Sequence, residues 1–126
     1  MEFENYQREA QRTINVMNYP DDLINHTLGL AGECGEVVEL VKKHLYHSKD
    51  IDMHRLSEEL GDVLWYLAAI CSTAGLHLGE LAQDNITKLK DRYPDGFVNH
   101  GEQSKVGRRL IDVFEPIIEK ESEPSG

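Results

Sequence analysis

Two long runs of helical periodicity, about residues 22–46 and 53–74, dominate this chain and leave room for little besides a helical bundle. Each run carries an apolar stripe that demands a packing partner, and each stripe is interrupted by an acid. In "GLAGECGEVVELVKK", Gly29 to Lys43, steps of about 100° per residue put Glu33 between Leu40 on one flank and Val37, Leu30 and Val41 on the other. Glu36 falls at the edge of that stripe, while Glu39 and Lys42 take the opposite face. With Glu59 at the origin of the second wheel, Tyr66, Ile70, Val63, Leu56 and Leu67 surround it and Asp62 sits one step aside. The two helices therefore carry acidic pairs at the same spacing and the same angular offset, with 22 residues (37–58) between the pairs.

An ionised carboxylate aimed at a core needs compensation, because removing it from water costs several kcal/mol even after relaxation, of order 5. If the two helices pack antiparallel through their stripes, four carboxylates converge. Like charges then push one another's pKa upward. The group must hold protons or a cation. Oxygen ligands with no thiolate or imidazole at matching spacing suit a hard ion, Mg²⁺ or Mn²⁺, rather than zinc. The Glu-x-x-His element of di-iron bundles occurs nowhere in the chain.

A length of 126 residues bounds the chain to one domain with a core of its own. A net charge of −10 excludes nucleic acid polymers and anionic membranes as partners unless cations intervene. No apolar run approaches the roughly 20 residues of a membrane span and no signal segment opens the chain, so a soluble, cytoplasmic protein is expected. Cys34 and Cys71 read as small apolar core residues in a reducing compartment.

Four helices are expected. The first spans about Glu2 to Asn18, with Phe3, Tyr6, Ala10, Ile14 and Met17 on one side. "YPDD" ends it and offers Asp21 or Asp22 as cap for the second, which continues to about Tyr46. The third spans about Met53 to Ala74 and is broken by "AGLHLG". The fourth spans about Leu78 to Arg92 and stops at "YPDGF", a strong turn signal. Residues 1–100 form the catalytic helical domain in this reading. Residues 101–126 form an extension, partly helical or frayed, since Pro116 interrupts "SKVGRRLIDVFEPIIEK".

The fourth helix has its own polar intrusion. Leu78, Leu81, Ala82 and Leu89 surround Asn85 on the wheel, with Arg92 on the same arc and Lys88 at its border. An amide flanked by two cations suits an anionic ligand; a solvated face with Asn85 bonded to backbone is the alternative. Gly29, Gly32 and Gly35 each sacrifice about 0.8–1 kcal/mol of helix propensity. Close helix approach is the expected reason, and clearance for a ligand the other; Gly61 invites the same two readings. Trp65 falls off the main stripe, where it could stack on a base or bury at a subunit contact.

"GLAGECGEVVELVKK", "EELGDVLWYLAAI" and "NITKLKDRYPDGF" together resemble the MazG-type nucleotide pyrophosphohydrolases of the all-α NTP pyrophosphatase superfamily. The likeness covers about Leu28 to Phe97. It implies an all-α, four-helix-type bundle, completed by oligomerisation as homodimer or homotetramer, with some sites drawing on neighbouring subunits. It implies Mg²⁺ (with Mn²⁺ as substitute) held by Glu33, Glu36, Glu59 and Asp62. The activity implied is cleavage of a nucleoside triphosphate between the α and β phosphates, giving a monophosphate and pyrophosphate. Asn85, Lys88 and Arg92 would contact the nucleotide, joined by Lys43 and Tyr66, and Glu33 or Glu36 would accept the proton of the attacking water. The rival reading is a noncatalytic helical module that binds nucleotide or protein and keeps the acids.

Overall fold

The computed structural model describes residues 1–47 and 50–98. Its helices are α1 (Phe3–Gln11), α2 (Asp21–His47), α3 (Met53–Ala74) and α4 (Leu78–Arg92), and no strand occurs among the described residues. The all-α class expected from the sequence is the one observed. The expected extension, residues 101–126, lies outside the described residues.

Helix α3 is bounded by local chemistry at both ends. The Asp52 carboxylate accepts the Arg55 N–H at 3.0 Å, relieving one orphan donor of the first turn. Gly75 closes the helix at φ +72°, a left-handed conformation that glycine adopts without a Cβ penalty. Helix α2 runs antiparallel to it. His26 meets Thr73, with Nδ1 3.1 Å from Oγ1, Gly29 meets Tyr66, and Glu33 meets Glu59.

Helix α1 also packs on α3. Gln7 Nε2 donates to the Leu76 carbonyl at 2.9 Å and to Ser72 Oγ at 3.3 Å. Ala10, Ala68, Cys71 and Leu78 form the buried cluster, with Tyr6, Leu64 and Trp65 packed against it. The small side chains at this seam let the helices approach, and burial pushes the Cys71 thiol pKa up. Cys34, expected in the core, is instead exposed; one residue past Glu33, it is rotated about 100° away from the face toward α3.

Helix α1 is shorter than its periodicity suggests. It ends at Gln11 rather than Asn18, because the following residues take tertiary partners. Thr13 Oγ1 donates to the Ala10 carbonyl at 2.7 Å and accepts the Trp65 indole N–H at 2.7 Å. The Met17 N–H donates to both oxygens of the Asp22 carboxylate, at 3.1 and 3.2 Å. Asp22 is thus a buried anchor for residues 12–20, not the simple helix cap expected of it. Both Asp21 and Asp22 lie in the first turn of α2, where negative charge favours the helix dipole.

The start of α4 is tied down by α1: Gln7 Oε1 accepts the Leu78 N–H at 2.7 Å, and the Glu4 carboxylate lies over Gly79. Beyond that first turn and as far as Lys88, no helix packs along α4 among the described residues. Residues Met1–Lys88 form one unit, and a second begins at Leu89. The described part of the second holds the last turn of α4 and a turn closed by Gly96 N–H to the Tyr93 carbonyl at 3.0 Å, with Gly96 at φ +74°. No described helix is long and apolar enough to cross a membrane.

Candidate functional site

Carboxylate oxygens of Glu33, Glu59 and Asp62 lie within 4.8 Å of one another. Helix α2 contributes the first and α3 the other two. Glu33 and Glu59 are half-buried and Asp62 is exposed, so the group is open to solvent at Asp62. The stripes explain the inward aim, since each glutamate replaces an apolar residue on the face that packs.

Glu33 carries the electrostatic signature of this crowding. Partial desolvation, then a hydrogen bond with Glu59, then the charges of Asp62, Glu59 and Glu36 all raise its pKa above the ordinary glutamate value. A hydrogen bond between two carboxyls requires a proton on one of them. Tyr6 brings a third helix near the site: burial first, and the Asp62 charge second, push its phenol pKa up.

Three of the four expected acids are therefore gathered. Glu36 is exposed, one turn farther along α2; its charge is felt at Glu33, but it stands outside the 4.8 Å group. Tyr66 lies beside the cluster. Four residues beyond Asp62 on α3, its ring is pressed on Gly29, four residues before Glu33 on α2. The expectation of close approach at the glycines holds at that position alone: a Cβ at Gly32, Gly35 or Gly61 would meet nothing within 4 Å.

Of the remaining expected contacts, Lys43, Asn85 and Lys88 stand apart from the acids in one chain. Lys43 is exposed and, by helical rise, about 15 Å along α2 from Glu33. Asn85 and Lys88 line a cleft of about 450 Å³ with Leu76, His77, Leu81, Glu80 and Asp84. That cleft contains none of the four acids. Arg92 is exposed and belongs to the unit beginning at Leu89.

Sequence reasoning passed over a second polar locus. His26 is buried, hydrogen-bonded to Thr73, and set edge-on to Trp65 at 6.0 Å between ring centroids. Its signal was present on the helical wheel, where it falls about 20° from Glu33 and so on the inward face. Trp65 in turn meets Tyr66 edge-on at 4.9 Å, which places the indole inside the fold of a single chain.

The fold is thus an all-α one in which carboxylates gathered from two antiparallel helices could hold a metal ion. The family model of the MazG nucleotide pyrophosphohydrolase domain matches residues 23–97, and the chain belongs to that family. It is similar to the "Gene 37 protein" of Mycobacterium phage L5, with 36% identity over 76 residues, covering 57% of this chain and 67% of that protein. No solved structure matches the chain.

Proposed function

We propose that the protein is a Mg²⁺-dependent nucleoside triphosphate pyrophosphohydrolase that cleaves between the α and β phosphates, releasing a nucleoside monophosphate and pyrophosphate. The observation that carries this reading is the triad Glu33, Glu59 and Asp62 within 4.8 Å, in a chain of a nucleotide pyrophosphohydrolase family. The donor set fits a hard divalent ion, being all oxygen and open to solvent at Asp62. Glu33, Glu59 and Asp62 would hold it, with Glu36 at the rim; Mn²⁺ would substitute. When bound, the ion supplies positive charge that neutralises phosphate oxygens and acidifies nearby water.

The chain's own residues account for the rest. Glu36 or Glu33 accepts the proton of the attacking water, and Glu36, less enclosed, keeps a free oxygen lone pair for it. Tyr66, one turn from the acids, limits where the nucleotide can lie. Asn85, Lys88 and Arg92 bind the phosphates, Lys88 and Arg92 offsetting charge on the departing pyrophosphate, and Lys43 extends the basic surface.

Asn85 and Lys88 line a cleft that contains none of the four acids, so a second copy supplies the α4 residues in this reading. Exposed apolar side chains along α2 and α3, among them Ile24, Leu28, Val38, Leu45 and Leu60, give such a copy a surface to cover.

A nucleotide panel with Mg²⁺, its products resolved by chromatography, tests the function. Monophosphate and pyrophosphate are expected, with no turnover in EDTA. Release of diphosphate and inorganic phosphate, or activity that survives EDTA, overturns it. Stabilisation by Mg²⁺–nucleotide without any product indicates the noncatalytic binding module instead.

A further inference from the structure

Helix α2 is apolar on two sides. One side packs on α3; the other carries Ile24, Leu28, Ala31, Gly35, Val38 and Leu45, with Lys42 between the last two. Their spacing alternates four and three residues from Ile24 to Leu45, through three heptads. That repeat keeps a seam facing a second helix when the two supercoil. On the wheel the seam lies about 120° to 220° from Glu33, away from the acids. All seven residues are exposed, Ile24, Leu28, Val38 and Leu45 by 53% to 68%. Among the described residues no helix other than α3 packs on α2. Nor does the chain itself account for the glycines on this side. A Cβ at Gly35, or at Gly32 on the seam's border, would meet nothing within 4 Å, although glycine weakens a helix.

We propose that this seam pairs, antiparallel, with the same seam of a second copy of the chain, as a two-stranded coiled coil. The inference specifies the second copy invoked above, but it rests on α2 and not on the nucleotide chemistry. The seam complements itself when reversed. A two-fold axis level with residue 33 sets Ala31 beside Gly35 of the second copy, Leu28 beside Val38, and Ile24 beside the stem of Lys42. Small residues then meet at the centre, where the axes must approach, and bulky ones meet on either side. Charge fixes the direction. Asp21 stands at the acidic start of α2, one turn before Ile24, so reversal brings it within a turn of Lys42 of the second copy, the one charge on the seam. Parallel pairing would instead set lysine against lysine. Along the flanks Gly32 and Cys34 each face their own counterpart, and Glu39 faces Asn25, so no like charges oppose.

Sedimentation of the full chain in EDTA, without nucleotide, tests the pairing. Wild type is expected as a dimer or an even multiple of one. Val38→Glu, which places an acid in the seam twice per pair, is expected to weaken association at least about tenfold. Helical circular dichroism is expected to stay unchanged, because Val38 is exposed in the single chain. Lys42→Glu is expected to weaken association as well, and Lys42→Glu combined with Asp21→Lys to restore it. Those positions lie about 32 Å apart along one helix, so the rescue can act only between copies that run in opposite directions. A short bismaleimide is expected to link wild-type chains through Cys34, since Cys71 is buried, and Cys34→Ser to abolish the link. A monomeric wild type overturns the proposal, and with it the second copy of the reading above. An assembly unchanged by both Val38→Glu and Lys42→Glu overturns this seam and leaves a second copy seated elsewhere. Absence of rescue in the double variant, or of a link through Cys34, overturns the antiparallel register. Association that weakens in the variants, with no hydrolysis by wild type, keeps the seam and removes the enzyme.

Discussion

The ring of Tyr66 on α3 occupies the space that a side chain at Gly29 on α2 would fill; a Cβ built there would lie 2.8 Å from the Tyr66 hydroxyl oxygen and closer still to the ring. This contact sets the helices together one turn from the acids. Gly29→Ala forces Tyr66 to move, an overpacking cost of about 1–3 kcal/mol, against about 0.8–1 kcal/mol gained in helix propensity. A net loss of about 1 kcal/mol is expected in denaturant melts. In a Tyr66→Ala background the sign reverses, since only the propensity gain remains, and a double-mutant cycle checks this coupling.

Glu59→Gln is expected to abolish turnover and leave the fold intact. An amide at 59 can donate to Glu33 without adding a negative charge beside it, so the metal-free melting temperature is held or raised. Added Mg²⁺ stabilises wild type as ligand binding to the native state must, and the variant loses most of that increment. Thermal shift with and without Mg²⁺, beside the product assay, reads both effects.

The raised pKa of Glu33 gives a pH dependence with a definite sign. A carboxyl whose folded pKa exceeds its unfolded one stabilises the fold fully below the unfolded pKa, and that contribution is lost as pH rises through the folded pKa. In EDTA the melting temperature is therefore expected to fall, in part, as pH climbs above the ordinary glutamate range. Glu33→Gln flattens that part of the profile. Mg²⁺ opposes the fall, because metal takes the place of the proton and binds more tightly as the carboxyls ionise.

Thr13→Val removes the acceptor of the Trp65 indole N–H at nearly constant volume. A loss of about 0.5–1.5 kcal/mol is expected, with a changed Trp65 emission spectrum as residues 12–18 loosen. Urea melts followed by that fluorescence measure both.

Sharing of sites between copies predicts complementation. Glu59→Gln and Lys88→Ala chains, each inactive alone, are expected to recover activity when mixed and re-equilibrated, since some assembled sites then combine intact acids with an intact α4. Light scattering on wild type is expected to give a mass of at least twice the 14.4 kDa chain. A monomer at assay concentration contradicts the shared site.

The amino-acid sequence by itself determined the helical class, the bounds of α3 and α4, and the inward aim of Glu33 and Glu59. Those are local matters: Asp52 caps its own helix, Gly75 tolerates positive φ, and angular position on a wheel follows from residue spacing alone. Tertiary structure decided where α1 stops, because Thr13 and Met17 bond to Trp65 and Asp22, which are distant or beyond the next turn in the chain. It also decided that Asp62 joins the cluster while Glu36, at the same offset, stays outside it; that depends on how the two helices pack, and no periodicity within one helix encodes it. The contact of His26 with Thr73 and Trp65 was decided in the same way, since it forms only when α2 packs on α3.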